Sequence, residues 1–369
     1  MRIAVNLLNY TPELAGNGTF ARRMLGQLQR LDKTNEYELF LRDIPGIVRT
    51  FDVVGSNFRT RKVALGGNRL ERILYEQVRL GRTIEHGHYD LLYCPSLAVP
   101  LALRNTPVIN TIHDLTPMVV RKYGPLRHRY YVGMARRTTS RVDRIVTVSE
   151  NSKRDIQRFL GVSPERIRVV YNFLDEGYSR HQAAPNKWGR YFLFVGTIQP
   201  GKNIGRLISA FDEYVKQSND SSAKLVVAGK LGWHYQDVIL KAKEVDVADR
   251  ILFTGYVSEF ELRDLYTHAL ALVYPTLYEG FGIPPLEAMT LGTPVVASDV
   301  ASIPEVVGDA ALLVDPLESR SIAAAMCKIV DESTVASLRP KLKHQASRFD
   351  GSREAQKLLQ LFSEVAEPK

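Results

Sequence analysis

Glu279 and Glu287 lie eight residues apart in the run Tyr274-Pro-Thr-Leu-Tyr-Glu-Gly-Phe-Gly-Ile-Pro-Pro-Leu-Glu-Ala-Met289. A carboxylate accepts hydrogen bonds from hydroxyl groups, so two of them around a glycine loop suit a ligand rich in hydroxyls. Gly280 and Gly282 let the backbone approach that ligand closely. Pro284 and Pro285 suit a helix start, where a missing N–H costs little. The first turn of such a helix offers free N–H groups and a positive dipole end to an anion. A ligand carrying both phosphate and sugar hydroxyls would use every part. A plain strand-to-helix turn with two solvated glutamates is the simpler reading of the same spacing, and the rest of the chain has to decide between them.

The elements that would position these residues follow from the apolar pattern. Ala269–Val273 reads as a buried parallel strand leading into the glycine loop. Upstream, strands are expected at 2–8, 37–41, 63–65, 90–93, 107–112, 144–148 and 168–171, with helices at about 19–31, 69–83 and 150–160. Residues 182–187 read as a linker, after which strands restart at 191–195, 224–228, 251–253, 269–273, 294–297 and 311–314. Strands alternating with helices make open parallel α/β domains. Ligands of such sheets bind outside the carboxyl ends of the strands, where His113, Gly196, Gly255 and Glu279 are all expected. Two such domains would face one interdomain cleft.

A length of 369 residues is enough for two domains with separate cores. Cys94 and Cys327 are far apart in apolar surroundings. They read as buried free thiols in a reducing compartment and cannot build a metal cluster. The first residues read as a strand rather than a signal peptide, and no run approaches the roughly 20 apolar residues of a spanning helix. The net charge of +9 is uneven: residues 1–180 carry 29 Lys and Arg against 17 Asp and Glu, and the remainder carries 20 against 23. The basic excess peaks at 120–141, where Arg121, Lys122, Arg127, Arg129, Arg136, Arg137 and Arg141 occur without an acidic residue. A solvated helical face and contact with anionic lipid headgroups are the two readings of that stretch. No nucleic-acid motif accompanies it. The expected location is the cytoplasm, with peripheral contact at the inner face of the membrane under the second reading.

With these motifs in order over some 300 residues, the chain resembles the retaining, GT-B-fold glycosyltransferases of family GT4. The Glu279/Glu287 element carries the resemblance most specifically. Gly16-Asn17-Gly18, His113-Asp114, Gly201-Lys202-Asn203, Val227-Ala228-Gly229, Thr254-Gly255-Tyr256-Val257 and Gly292-Thr293-Pro294 support it. The resemblance implies two Rossmann-like parallel-sheet domains, an acceptor domain at 1–181 and a donor domain at 188–349. It also implies a terminal helix from about 350 that packs back on the first domain. Glu279 and the Phe281–Gly282 backbone would hold the donor sugar hydroxyls and Glu287 the ribose, with Gly280 and Ile283 also in the donor site. Tyr256 and Val257 would lie along the nucleobase. Gly16 and Gly18 would lie on the diphosphate and acceptor side, Lys202 would be the cation of the diphosphate, and Gly196 and Thr197 would belong to the donor site. His113 would lie near the reacting carbon. The family often places an arginine where Thr197 stands, which leaves Lys202 as the main cation, with Arg206 a turn further on.

The expected activity is therefore transfer of a hexose, mannose from GDP-mannose in the first instance, to a hydroxyl of a glycan or lipid-linked acceptor in surface polysaccharide assembly. A UDP-sugar donor is the alternative within the same reaction. No Asp-x-Asp occurs in the chain, so neither a metal nor another cofactor is expected. Two readings of other classes compete. One is an NAD-dependent oxidoreductase, because Gly16, Gly18 and Ala21 also fit G-x-G-x-x-A, although eight residues from the strand where that turn is tight. The other is a non-catalytic binder of sugar nucleotides.

Overall fold

Runs of aliphatic residues buried on both faces define the strands, as a parallel sheet between two helical layers requires. The computed structural model describes residues 1–13, 16–65, 68–100, 102–120 and 124–367. Of the basic stretch, Arg121, Lys122, Tyr123 and the Arg127 side chain lie outside the described residues.

The first sheet contains β1 (Arg2–Asn6), β2 (Glu36–Arg42), β3 (Phe58–Val63), β4 (Leu91–Cys94), β5 (Val108–Thr111), β6 (Arg144–Thr147) and β7 (Ile167–Val169). Their order is β3-β2-β1-β4-β5-β6-β7, and every pair is parallel. The second contains β8 (Tyr191–Val195), β9 (Lys224–Ala228), β10 (Ile251–Gly255), β11 (Ala271–Tyr274), β12 (Val295–Ser298) and β13 (Leu312–Val314), ordered β10-β9-β8-β11-β12-β13 and also all parallel. Each sheet reverses its winding once, between β1 and β4 in the first and between β8 and β11 in the second. Those two switch points are where the carboxyl ends of a doubly wound sheet open a crevice.

Most elements follow the apolar pattern, and β3 departs from it. It was expected only at 63–65, yet its ladder with β2 begins at Phe58. The residues Arg59, Thr60, Arg61 and Lys62 are exposed, because β3 lies at the sheet edge and pairs on one side only. Charge on an edge strand guards it against pairing with another chain and at the same time removes the apolar signal. Cys327 is a second correction. Only Cys94 is buried; Cys327 is half-exposed, since it lies off the Ile322/Ala323/Met326/Ile329 stripe of its helix.

The chain forms two compact units, Met1–Phe173 with the segment from Asp350 onward, and Leu174–Phe349. Residues 174–181, expected with the first domain, group with the second. The Arg263 guanidinium lies 4.4 Å above the Tyr178 ring, and His181 is 2.7 Å from the Asp264 carboxylate, so the helix Glu259–His268 holds this segment. The helix Gly351–Ala366 packs on Gly16–Leu31, and its Phe362 ring lies 5.4 Å from Tyr93. Glu354, almost wholly buried, accepts the Tyr171 N–H at 2.8 Å.

Candidate functional site

Three glycines make a bare edge at the carboxyl end of the second sheet. Gly196 N–H donates to Ala228 O and Gly229 N–H to Gly255 O, both at 2.9 Å, so the turns after β8, β9 and β10 lie side by side. Gly229 has φ +150°, and a Cβ there would stand 2.0 Å from the Gly196 carbonyl oxygen. No side chain fits between these turns, which leaves a bare backbone edge at the carboxyl end of the sheet.

β8 and β11 flank the switch point, and their exits are tied together. Asn203 adopts a left-handed conformation (φ 60°) and is buried. Its Nδ2 donates to Pro275 O at 2.9 Å and to Pro316 O at 2.7 Å, while Leu277 N–H donates to Gly201 O at 3.0 Å. This cross-bonding brings Lys202 against Glu279. The Lys202 ammonium forms an ion pair with Glu279 Oε1 and donates to Tyr274 Oη at 3.2 Å. Tyr274 in turn donates to Glu279 Oε1 at 3.0 Å. Burial works against the Lys202 charge, but the Glu279 carboxylate and Tyr274 outweigh it and hold the ammonium pKa above its ordinary value. Burial and the same carboxylate push the Tyr274 phenol up, so it remains a proton donor. Arg206 Nη1 donates to Asn203 Oδ1 at 2.8 Å and to Pro316 O.

The glycine loop is held from below. Ser302, fully buried, places Oγ 2.9 Å from Glu279 O and 2.8 Å from Phe281 O. Phe281 is buried edge-on against Phe349. Gly282 has φ +112° and caps the helix Ile283–Leu291, with Pro284 and Pro285 in its first turn. A Cβ at Gly282 would meet Ile303 Cδ1 at 2.7 Å. Glu287 lies in the second turn at 8% exposure, and Tyr266 Oη donates to its Oε2 at 2.8 Å.

Tyr256 is 73% exposed after β10, with the Lys230 ammonium 4.9 Å from its ring centroid. Val257 follows it, half-buried, and Thr197 is exposed after Gly196. In the first unit, the helix Gly16–Leu31 begins at Gly16, which puts Gly16 and Gly18 among the N–H groups that have no partner within the helix. His113 follows β5 with its Nε2 3.2 Å from Pro95 O and its ring edge-on to Phe20. Burial lowers its pKa, and the Pro95 carbonyl and Asp114 only partly oppose this. Asp114 itself accepts the Thr116 N–H at 2.7 Å and holds the loop. Lys202, Glu279 and the loop 280–283 are thus one bonded group, with Glu287 on the helix that follows. Gly16, Gly18 and His113 belong to the other unit. Tyr266, Tyr274, Asn203, Lys230 and Ser302 were not foreseen as site residues. Among the described residues, no three His, Cys, Asp or Glu side chains form a metal-binding group.

Two family models match the chain, Glycosyltransferase Family 4 over residues 16–178 and Glycosyl transferases group 1 over residues 178–349. The chain is 29% identical to the O-antigen chain mannosyltransferase B of Escherichia coli over 87% of this chain and 88% of that protein. It is 32% identical to the O-antigen chain mannosyltransferase RfbU of Salmonella typhimurium over 67% of this chain and 66% of that protein. The crystal structure of Anabaena HepE in complex with UDP and glucose superposes with a TM-score of 0.77 at 16% identity, covering 99% of this chain and all of that one. At that identity the likeness is one of fold.

Proposed function

This chain belongs to the group 1 glycosyl transferases and glycosyltransferase family 4, and from that premise we propose that it moves mannose from GDP-mannose to a hydroxyl of a glycan or lipid-linked acceptor, with the anomeric configuration retained. The family sets aside the nicotinamide and non-catalytic readings of the Gly16 loop and the glutamate pair. The observation that carries the proposal is the bonded group Lys202–Tyr274–Glu279 at the β8/β11 switch point. Similarity to two O-antigen mannosyltransferases supports mannose as the sugar.

In this reading Glu279 and the Phe281–Gly282 backbone hold the sugar hydroxyls, and Glu287 takes the ribose. Tyr256 and Val257 lie along the base. Lys202 and the positive end of the helix Ile283–Leu291, where Ile283 carries an N–H and Pro284 and Pro285 carry none, stabilise the charge that develops on the departing diphosphate, and the side-chain-free Gly196/Gly229 edge lets that group lie close. In the first unit, Gly16 and Gly18 are assigned to the diphosphate and acceptor, and His113 to the positive charge that develops on the sugar. The acceptor oxygen bonds to that carbon on the face from which the phosphate oxygen leaves, and the hydroxyl proton passes to the departing phosphate. No metal or other cofactor takes part in this scheme, because a lysine and backbone dipoles meet the diphosphate.

Thermal-shift titration with GDP, UDP, ADP and NAD, without added metal, tests the donor, since a ligand that binds the native state raises the melting temperature. A shift with GDP alone is the expected result. A shift with UDP alone would favour a UDP-sugar, the second reading. A shift with NAD and no diphosphate would overturn both.

The acceptor side of the proposal includes contact with an anionic membrane. No helix described is long and apolar enough to cross one. The helix Pro125–Thr139 exposes Leu126 (85%), Tyr130 and Met134 beside the exposed Arg129, Arg136 and Arg137. Leu70, Leu74 and Val78 form a second exposed stripe, on the helical run Arg69–Leu74 and the π-helical turns Tyr75–Leu80 that continue it. Both stripes belong to helices that bury Leu80 and Ala135 in one core, against the same face of the first sheet. Apolar side chains flanked by arginines suit the headgroup region of an anionic bilayer.

A further inference from the structure

Each carboxylate of the glycine-loop element is backed by a buried tyrosine, and the two tyrosines are themselves eight residues apart. Tyr274 donates to Glu279 and Tyr266 donates to Glu287. The first pair is shared with Lys202. Tyr266 lies near the end of the helix Glu259–His268, is fully buried, and packs where that helix meets Ile283–Leu291. Its main chain is fixed as well, because Thr293 Oγ1 donates to its carbonyl at 2.7 Å.

A glutamate on a helix turns about three side-chain bonds, so a ligand that needs both lobes of its carboxylate must first stop that motion. A rigid donor fixed to one oxygen from the core side stops it before the ligand arrives. We propose that Tyr266 is a positioning residue for Glu287: its hydroxyl, donated to Oε2, sets the carboxylate plane so that Glu287 accepts from the vicinal hydroxyls of ribose, and it thereby sets the preference for a ribonucleotide. The inference rests on the reading of Glu287 as the ribose ligand. Burial and the Glu287 charge hold the Tyr266 phenol protonated, consistent with a donor role.

The test compares affinities for the nucleoside diphosphate that wild-type protein binds best, among those of guanosine, uridine and adenosine, and for its 2′,3′-dideoxy analogue. In wild-type protein the ribonucleotide binds more tightly. Tyr266→Phe keeps the ring and removes the hydroxyl. It weakens the ribonucleotide roughly tenfold, as expected for a lost hydrogen bond to a charged group, and leaves the dideoxy analogue nearly unchanged, so the ratio falls toward one. Tyr191→Phe is the control. It removes a hydroxyl that donates to the neighbouring Leu265 carbonyl at 2.8 Å, and it leaves the ratio at the wild-type value.

If Tyr266→Phe weakens both nucleotides equally, or only lowers the melting temperature, Tyr266 is a packing residue and the inference is wrong. If it does not fold, Thr293→Val, which takes away one of the two hydrogen bonds on the Tyr266 carbonyl and leaves the one from the Ala269 N–H, is read instead: a reduced ratio supports the inference and an unchanged one overturns it. Glu287→Ala separates the layers. A wild-type ratio in that variant removes the ribose reading, and the inference with it. A collapsed ratio in Glu287→Ala with a wild-type ratio in Tyr266→Phe leaves the ribose reading standing and removes the inference alone.

Discussion

Lys202 keeps its charge in a place where burial opposes it, because Glu279 and Tyr274 are bonded to it. Its removal, as Lys202→Ala, should lower kcat by about 10² to 10³, the usual cost of one preorganised group facing developing negative charge. Steady-state kinetics with the identified donor measures this. The folded pKa of Lys202 lies above its unfolded value of about 10.4. Its contribution to stability is therefore complete at neutral pH and lost only as pH rises through the folded value. Lys202→Met should accordingly cost the same stability at about pH 6 and about pH 9 in denaturant melts. His113 has the opposite sign. Its folded pKa is depressed, so its contribution is present above about 6.5 and lost as pH falls. His113→Asn should flatten the fall in melting temperature between about pH 7 and pH 5. Glu279, Glu287 and Lys202 could be picked out in the sequence because spacing and glycines mark them. The roles of Tyr266 and Tyr274 could not. They are two of 17 tyrosines, Tyr266 in a segment that reads as ordinary core and Tyr274 at the head of the glutamate run, and only folding shows where their hydroxyls point.

Among the elements, the glycine turns divide by what a side chain would strike. At Gly282 the obstacle is the end of a flexible isoleucine, so Gly282→Ala is limited by its positive φ and should destabilise by about 1–3 kcal/mol. Ile303→Val in the same chain should recover little of that, because the backbone strain remains. At Gly229 the obstacle is the Gly196 carbonyl itself, and Gly229→Ala should yield little folded protein on expression. The exposed arginines of Pro125–Thr139 make a separate prediction. Arg136→Glu with Arg137→Glu should weaken flotation with anionic liposomes and leave melting temperature and nucleotide binding unchanged. Unaltered flotation would remove the membrane contact. Strands β8 and β9 were legible to the residue because β8 is an unbroken apolar run and β9 is one after its opening Lys224, each ending at a glycine. β3 was not, since an edge strand needs no apolar face. The π-helical turns at Tyr75–Leu80 were not either, because a shift from one helical hydrogen-bond pattern to another leaves the residue pattern unchanged.

At the scale of the molecule, two sheets of one winding order carry unlike charge: the basic excess lies in the first 180 residues. The two-unit plan was legible because the strand–helix alternation stops and restarts around residues 182–187. The boundary was set a few residues late, since nothing in 174–181 announces that Tyr178 and His181 are claimed by Arg263 and Asp264. The helix Gly351–Ala366 buries Ala355, Leu358, Leu361 and Phe362 in the first unit. Deleting it should expose that apolar face, so a chain ending at Phe349 should aggregate or melt early in calorimetry, while residues 174–349 made alone should unfold cooperatively. That helix also fixes an order of events during synthesis. The ribosome makes the first unit's seven strands early, but their last covering helix emerges only after the whole second unit has been made. The second unit is free to fold as it leaves the exit tunnel. The first must wait with part of its core uncovered, and at that stage it is the half of the nascent chain that a chaperone would hold.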